Sequence, residues 1–190
     1  MYKRPCFDSS VFLGGFNNEV RNHVKRGVVF QSLIERARLG DFKIFIAAAA
    51  IAEVYKTQSW GTSDQDRLDE LFCLLDEDLI TPIELDRSVA VEAHSLCRKH
   101  SSLRPFDAIH LACAASAGCD YLLTWDKRFE AVVHEKVKVE HPAMQAGTLF
   151  EASAVATEQE QHAWYVSNPK RLSRKEIVHV QSTFDSSGGI

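Results

Sequence analysis

The chain has 190 residues, of which 45% are apolar and 25% are charged. This length favours one domain, or one domain with an extension, and the composition is typical of a globular protein. It excludes a collagen, a disordered tail protein and a disulfide-rich scaffold. The formal net charge is −4, so the chain lacks overall basicity, and a role on nucleic acid would have to rest on local positive patches.

The cysteines and the N-terminal residues indicate a reducing compartment. There are five cysteines, an odd number, and none forms a Cys-x-x-Cys pair. Lys3, Arg4 and Asp8 leave no room for the apolar segment of a secretory leader. We therefore expect reduced thiols in a cytoplasmic protein. The clearest apolar run, 44–52, is nine residues long, whereas a spanning helix needs about 18, so no membrane segment is expected.

Short apolar runs alternate with helical patterns from residue 5 to residue 139. In chain order we first predict a strand at Pro5–Phe7, a helix over 28–37 ended by Gly40, a strand at Lys43–Ala47 and a helix at Ala48–Gln58. We then predict a helix from a Ser63 cap through Leu68 to Leu75, a strand at Leu79–Leu85 placed near an edge by Pro82, and a helix capped by Asp86 and ending near Arg98. The last predicted elements are a helix at Phe106–Ala117 ended by Gly118, a strand at Tyr121–Thr124 and a weak strand at Val137–Val139. This alternation predicts an α/β fold with a mostly parallel central sheet covered by helices on both faces.

The alternation lapses near residue 147, which divides the chain into a domain at 1–146 and an extension at 147–190. The extension contains a candidate helix at Glu151–Val166 and then a basic cluster, which consists of Lys170, Arg171, Arg174 and Lys175. We expect a partly disordered extension; a dimer arm, an RNA-binding segment and a lid over a partner groove are the alternatives.

Four carboxylates follow predicted strands or begin the helices after them. Asp8 ends the first strand, Glu53 lies in the helix after the second, Asp107 begins the helix after a Ser/Pro loop, and Asp126 follows the strand at 121–124. In open parallel sheets, ligands bind beyond the carboxyl ends of the strands. Four ionised carboxylates at one edge need compensation, which Mg²⁺ can supply because it prefers oxygen ligands.

Each acid also has a simpler interpretation. Asp8 could cap a short helix, Glu53 could be a solvated helix residue, and Asp107 could interact with a helix dipole. Asp126 could belong to an ordinary turn. Only the joint placement of the four acids favours a site.

Four segments resemble the PIN domain, and in particular the compact VapC-like toxin ribonucleases of bacteria and archaea. They share the order and the spacing of the family motifs and are the following: Phe7-Asp8-Ser9-Ser10-Val11-Phe12-Leu13, Ile51-Ala52-Glu53-Val54, Phe106-Asp107-Ala108-Ile109-His110-Leu111-Ala112 and Asp120-Tyr121-Leu122-Leu123-Thr124-Trp125-Asp126. The resemblance covers about residues 4–142.

The resemblance implies a three-layer α/β/α sandwich and an endoribonuclease that depends on Mg²⁺ or Mn²⁺. It implies a catalytic set of Asp8, Glu53, Asp107 and Asp126, in which Asp8, Asp107 and Asp126 are metal ligands, with Ser10 and Thr124 as supporting residues. Homodimers are frequent in this family, and an antitoxin partner that covers the site is common. The resemblance says nothing about the extension.

Several nearby residues are weaker candidates for the site. Asp120 lies six residues before Asp126 and should sit at the opposite end of the strand. His110 is one turn after Asp107, and we expect a packed or surface histidine rather than a direct role. Possible phosphate contacts are Arg104, Lys127 and Arg128.

The favoured hypothesis is cleavage of RNA by a metal-activated water, as the toxin of a toxin–antitoxin pair. The alternatives are a housekeeping PIN-domain RNase for RNA processing and a catalytically silent RNA- or protein-binding module. A haloacid-dehalogenase-like phosphatase would need an Asp where the chain has Ser10. A response-regulator-like receiver would pair its acids with a lysine after a late strand, for which Lys127 is a poor fit.

Overall fold

The computed structural model of the protein describes residues 3–54 and 64–146, together with 157, 159, 160 and 163. The strands in this part of the chain are β1 (Pro5–Phe7), β2 (Val20–Arg21), β3 (Val24–Lys25), β4 (Ile44–Ala47), β5 (Ile80–Ile83), β6 (Tyr121–Leu123) and β7 (Lys138–Glu140). The α-helices are α1 (Ser9–Phe16), α2 (Arg26–Arg38), α3 (Ala48–Val54), α4 (Asp64–Asp76), α5 (Arg87–Lys99) and α6 (Pro105–Ser116), and short 3₁₀ helices occur at Lys127–Phe129 and Pro142–Met144.

Five strands form one sheet in the order β5-β4-β1-β6-β7, and every neighbouring pair is parallel. The predicted parallel sheet is therefore confirmed, and β5 lies at an edge, as Pro82 indicated. Because all five strands run in one direction, their carboxyl ends lie together along one side of the sheet, which we call the carboxyl edge. The strands β2 and β3 form a separate antiparallel hairpin.

Both faces of the sheet are buried, which explains the continuous apolar strand sequences. Successive side chains of a strand point to opposite faces. Phe7 and Leu123 pack in a core with α1, α2 and α4, whereas Cys6 and Leu122 pack in a second core with α5 and α6. These two cores complete the three layers that were predicted.

Three predicted helix boundaries are confirmed in atomic detail. The Asp86 side chain caps α5 by accepting a hydrogen bond from the backbone N of Val89 at 2.9 Å. Gly40 and Gly118 follow the ends of α2 and α6 with φ values of +83° and +65°, a left-handed conformation in which glycine has no Cβ penalty.

The sequence patterns do not predict α1, the β2–β3 hairpin or the two short 3₁₀ helices. Helix α1 contains Gly14 and Gly15, which disfavour a helix. A Cβ atom on Gly15 would lie 2.3 Å from Cγ of Phe30, so the close approach of α1 to α2 requires the glycine. The hairpin turns at Asn22 and His23, whose φ values of 51° and 61° fit a type I′ turn.

Some predictions lie outside the described residues. These are the continuation of α3 to Gln58, the Ser63 cap, nearly all of the Glu151–Val166 helix, and the basic cluster. One described residue of the extension, Glu160, lies 2.9 Å from Nζ of Lys25 through its Oε1. Among the helices that the structure describes, none is both long and apolar enough to cross a membrane.

Candidate active site

The carboxyl edge of the sheet brings Asp8 beside Thr124. In the parallel register, Phe7 of β1 is opposite Leu123 of β6, and the next residue of each strand follows at the same edge. The backbone N of Asp8 donates to the carbonyl of Leu123 at 3.0 Å. Asp8 therefore follows β1 as a buried residue, 4% exposed, and lies next to the loop that carries Asp126.

Two hydroxyl groups hold the Asp8 carboxylate. Its Oδ2 accepts hydrogen bonds from Ser10 Oγ at 2.6 Å and from Thr124 Oγ1 at 2.8 Å. Ser10 Oγ accepts from the backbone N of Trp125 at 3.0 Å, and Thr124 Oγ1 accepts from that of Asp126 at 3.0 Å. Because both hydroxyls already accept a backbone proton, each is oriented to donate to Asp8.

Asp8 stands at the N-cap position of α1, yet its side chain makes no capping hydrogen bond. The simpler interpretation of Asp8 as a helix cap is therefore wrong for its carboxylate. The remaining oxygen, Oδ1, faces His110 instead, with Nε2 of the imidazole 3.3 Å away.

His110 joins Asp8 to Glu53. The side chain of Glu53 extends from α3, and its Oε2 lies 2.6 Å from Nε2 of His110. His110 is 1% exposed and belongs to the second turn of α6. The expectation of a packed histidine is correct for its burial, but the sequence does not predict this contact with two acids. The available signal was the spacing of one helical turn from Asp107.

The surroundings of His110 act on its pKa in opposite directions. Burial lowers the pKa of the imidazole, but the hydrogen bond to Glu53 and the charges of Asp8 and Glu53 raise it more, and the pKa lies above its ordinary value. Its Nδ1 is buried and has no hydrogen-bond partner among the described residues. The contacts of the imidazole with the two acids are therefore made through Nε2.

Asp107 and Asp126 form the second half of the site, and Arg128 joins them. Nε of Arg128 lies 2.9 Å from Asp107 Oδ2, and its Nη2 lies 3.1 Å from Asp107 Oδ1. The same Nη2 donates to Oδ2 of Asp126. Each acid also accepts a backbone hydrogen bond at the start of a helix. Asp107 Oδ2 accepts from the backbone N of Arg104 at 2.8 Å, at the start of α6. Asp126 Oδ1 accepts from the backbone N of Arg128 at 2.9 Å, at the start of the 3₁₀ helix Lys127–Phe129.

Asp107 experiences opposing influences on its charge. Burial raises the pKa of its carboxyl above the ordinary value, although the backbone hydrogen bond from Arg104 and the charge of Arg128 lower it. The charge of Asp126 adds to the increase. A cation near these two acids would therefore favour the ionised form of Asp107.

The other predicted residues occupy the rim. Arg104 and Lys127 are exposed, and Arg128 is bound to the two acids as described above. Asp120 precedes β6 at the opposite edge of the sheet, where its Oδ2 accepts from the backbone N of Arg4 at 2.8 Å. Its predicted place at the opposite end of the strand from Asp126 is therefore confirmed.

The structure divides the predicted acids into two groups. Among the described residues, Asp8, Glu53 and His110 form one potential metal-binding cluster, with one ligand atom from each lying within 4.8 Å of the others. Asp107 and Asp126 are not in that cluster; Asp126 follows the carboxyl end of β6, and Arg128 joins Asp107 to it. The carboxylate oxygens fit the donor chemistry of a hard divalent cation. The assignment of metal ligands and catalytic roles stays a prediction.

Comparison with known proteins gives the family. No curated protein matches the chain. The solved structure of VapBC2 from Rickettsia felis, bound to a DNA fragment from its promoter, covers 73% of this chain and 98% of its own at 14% identity, with a TM-score of 0.53. VapBC-5 from Mycobacterium tuberculosis aligns over 73% of this chain and 98% of its own, at 17% identity and a TM-score of 0.48. The first of these likenesses supports a shared fold.

The family model for the PIN domain matches residues 6–135, more than two thirds of the chain. That span contains all four motif segments and the four predicted acids from Asp8 to Asp126. PIN domains are generally nucleases, and a nuclease is the activity that membership supports. The resemblance seen in the sequence is confirmed at the level of the family: this chain belongs to the PIN domain family.

Proposed function

We propose that this protein is an endoribonuclease that depends on Mg²⁺ or Mn²⁺ and cleaves RNA phosphodiesters. The observation that carries the proposal is the Asp8 carboxylate, which is buried at the carboxyl edge of the sheet and fixed by hydroxyl donors from Ser10 and Thr124. A buried charged carboxylate is costly unless hydrogen bonds and a positive charge compensate it, and the two hydroxyls supply the hydrogen bonds. A preoriented carboxylate beside other acids is an arrangement that suits a divalent cation with oxygen ligands.

Asp8 and Asp107 would be the principal ligands of the cation, with Asp126 and Glu53 completing or ordering the site. When bound, such a cation supplies positive charge for the phosphate and activates a water for hydrolysis. Ser10 and Thr124 would hold the orientation of Asp8. His110 would separate the charges of Asp8 and Glu53 by donating from Nε2, which keeps two like charges stable at short range.

Positive side chains at the rim support a phosphate substrate. Arg104 and Lys127 are exposed, and Arg128 lies between Asp107 and Asp126. The negative net charge of the chain argues against broad nucleic-acid binding, so RNA affinity would come from these local cations and the bound metal.

We further propose that the protein is the toxin of a toxin–antitoxin pair, forms a homodimer and has an antitoxin partner. The support is the motif resemblance to VapC-like toxins and the fold shared with VapBC2. A housekeeping RNase is the alternative. Expression of this chain alone and together with the product of an adjacent small reading frame would separate the two: growth arrest relieved by that product favours a toxin.

The nuclease proposal is tested by incubating the purified chain with a 5′-labelled single-stranded RNA in Mg²⁺, in Mn²⁺ and in EDTA. We expect cleavage with either metal, none in EDTA, and recovery when excess metal is added. Cleavage at an undiminished rate in EDTA would refute the metal dependence. Binding of the RNA without cleavage in any metal would favour the silent binding module.

A further inference from the structure

A second concavity adjoins the acidic site on the side of β7. Its volume is about 850 Å³, which lies within the range of pockets that bind small molecules. It shares three residues with the acidic site, Ser10, Thr124 and Asp126. We call it the flanking pocket and define it by Arg21, Asn22, Trp125, Lys127, Phe129 and His141, which also line it.

The flanking pocket lies between two parts of the fold. One wall is the β2–β3 hairpin, which contributes Arg21 and, at its type I′ turn, Asn22. The opposite wall consists of the segment that follows β6, together with the last residues of β7 and His141 after them. The carboxyl ends of β6 and β7 meet at the same edge as that of β1, so the pocket continues the edge on which Asp8 stands.

Two rings of the pocket, Trp125 and His141, contact each other, and Arg26 lies over one of them. The guanidinium of Arg26 lies 4.6 Å from the centre of the Trp125 ring, and the His141 ring stands edge-on to the indole at 4.3 Å and 87°. Trp125 is buried, whereas His141 is exposed at the rim. Trp125 is therefore a fixed support, and His141 is the ring available to a ligand.

The charges that line the pocket balance. Arg21, Arg26 and Lys127 oppose three acids, which are Asp126, Glu130 and Glu140. Arg26 is already paired with Glu19 in a buried ion pair. A balanced lining gives no net attraction to a phosphate group. It suits a flat, uncharged group with hydrogen-bonding edges, which describes a nucleobase.

We propose that the flanking pocket binds the base of a nucleotide next to the phosphodiester that is cleaved, with His141 as its stacking platform. This inference rests on the proposed function and adds a base-binding subsite to it. The shared residues Ser10, Thr124 and Asp126 put the subsite directly beside the acids. A single-stranded RNA could then place one phosphate at the carboxylates and an adjacent unstacked base against His141.

Fluorescence of Trp125 tests the subsite without any cleavage. In a chain carrying Trp60→Phe and Trp164→Phe, Trp125 is the remaining tryptophan. It is titrated in EDTA with RNA tetranucleotides and with a tetranucleotide that has one abasic position. We expect a saturable change in fluorescence with the intact RNAs and weaker binding when the abasic position occupies the subsite. Moving the abasic position along the tetranucleotide identifies that position.

His141→Ala is the informative variant, and His94→Ala, an exposed histidine on α5, is its matched control. Loss of one base stacked on an aromatic ring costs about 1–3 kcal/mol, so we expect His141→Ala to weaken binding by about five-fold or more and His94→Ala to leave it unchanged. Circular dichroism verifies that both variants are folded.

Two results would overturn the subsite. These are equal affinity for intact RNA and for every abasic RNA, and unchanged affinity in His141→Ala. Because the titration is done in EDTA, base binding can be present while the nuclease assay fails, or absent while cleavage occurs. Failure of the subsite and failure of the proposed nuclease are therefore distinguishable.

Discussion

Nε2 of His110 lies 2.6 Å from Oε2 of Glu53, and this contact connects α6 to α3 across the carboxyl edge of the sheet. The same nitrogen lies 3.3 Å from Oδ1 of Asp8. One buried imidazole therefore faces two acids that come from different parts of the chain. Without a donor between them, the two carboxylates would repel each other in a poorly solvated site.

Replacement of His110 by Leu should destabilise the protein. Removing a buried donor that serves charged groups leaves Glu53 without its 2.6 Å partner and costs about 2 kcal/mol. His110→Gln is the matched control, because its amide can still donate, and we expect a smaller loss. Urea unfolding measures both free energies. Equal stability of His110→Leu and the wild type would contradict the role given to this contact.

Thr124→Val removes one of the two hydroxyls that bind Asp8 while keeping the shape of the buried side chain. A hydrogen bond to a charged group is worth about 1.5–3 kcal/mol, so we expect a decrease of that size in the free energy of unfolding. RNA cleavage should also slow, because Asp8 would lose part of its orientation. Thr124→Ser keeps the hydroxyl and should retain most of both properties. Equal effects of Thr124→Val and Thr124→Ser would show that the hydroxyl contributes neither to stability nor to cleavage.

Arg128→Ala removes the cation between Asp107 and Asp126. A divalent cation would then bind near these acids without competition from the guanidinium, so Mg²⁺ should raise the melting temperature more in the variant than in the wild type. Thermal unfolding across a Mg²⁺ series measures this difference. Lys127→Ala, which removes an exposed cation next in sequence, should behave like the wild type. The same Mg²⁺ response in Arg128→Ala and the wild type would be evidence against a cation site near Asp107.

The cap of α5 should make stability depend on pH in a defined direction. Hydrogen bonds from the Ser88 hydroxyl and the Val89 backbone hold the pKa of Asp86 below its usual range. A carboxyl whose pKa is depressed by folding stabilises the protein above its unfolded pKa, and the contribution is lost as the pH falls through the folded pKa.

Asp86→Ala should therefore be less stable than the wild type at neutral pH, and the difference should shrink as the pH falls below about 4. Urea unfolding at neutral pH and at about pH 3 measures it. Glu84→Ala, an exposed acid just before the helix, is the control and should show a smaller difference. A gap between Asp86→Ala and the wild type that is constant with pH would contradict the charged cap.

Much of the fold could be predicted because the strand sequences are apolar on both faces. The sequences of β1, β4 and β6 are short apolar runs that predict buried strands. Asp86, Gly40 and Gly118 predict helix ends. Helix α1 was missed because Gly14 and Gly15 disfavour a helix, and the structure shows that the reason for Gly15 is tertiary: it allows α1 to pack on Phe30. A local propensity cannot report a contact with a later helix.

The acidic edge could be predicted from positions after strands, but its internal pairing could not. Asp8 and Thr124 are 116 residues apart, and their hydrogen bond depends on the register of β1 and β6. The roles of His110 and Arg128 likewise depend on side-chain directions that spacing does not give. The cleavage chemistry and the metal ligands stay predictions.

The most direct test of the account compares Asp8→Asn with Asp120→Asn in the metal-dependent RNase assay. Both variants replace an acid next to a strand with its isosteric amide, but Asp8 lies at the carboxyl edge and Asp120 precedes β6 at the opposite edge. We predict loss of RNA cleavage in Asp8→Asn and wild-type cleavage in Asp120→Asn, with both proteins folded by circular dichroism. Full cleavage by a folded Asp8→Asn protein would contradict the assignment of the active site to this edge of the sheet.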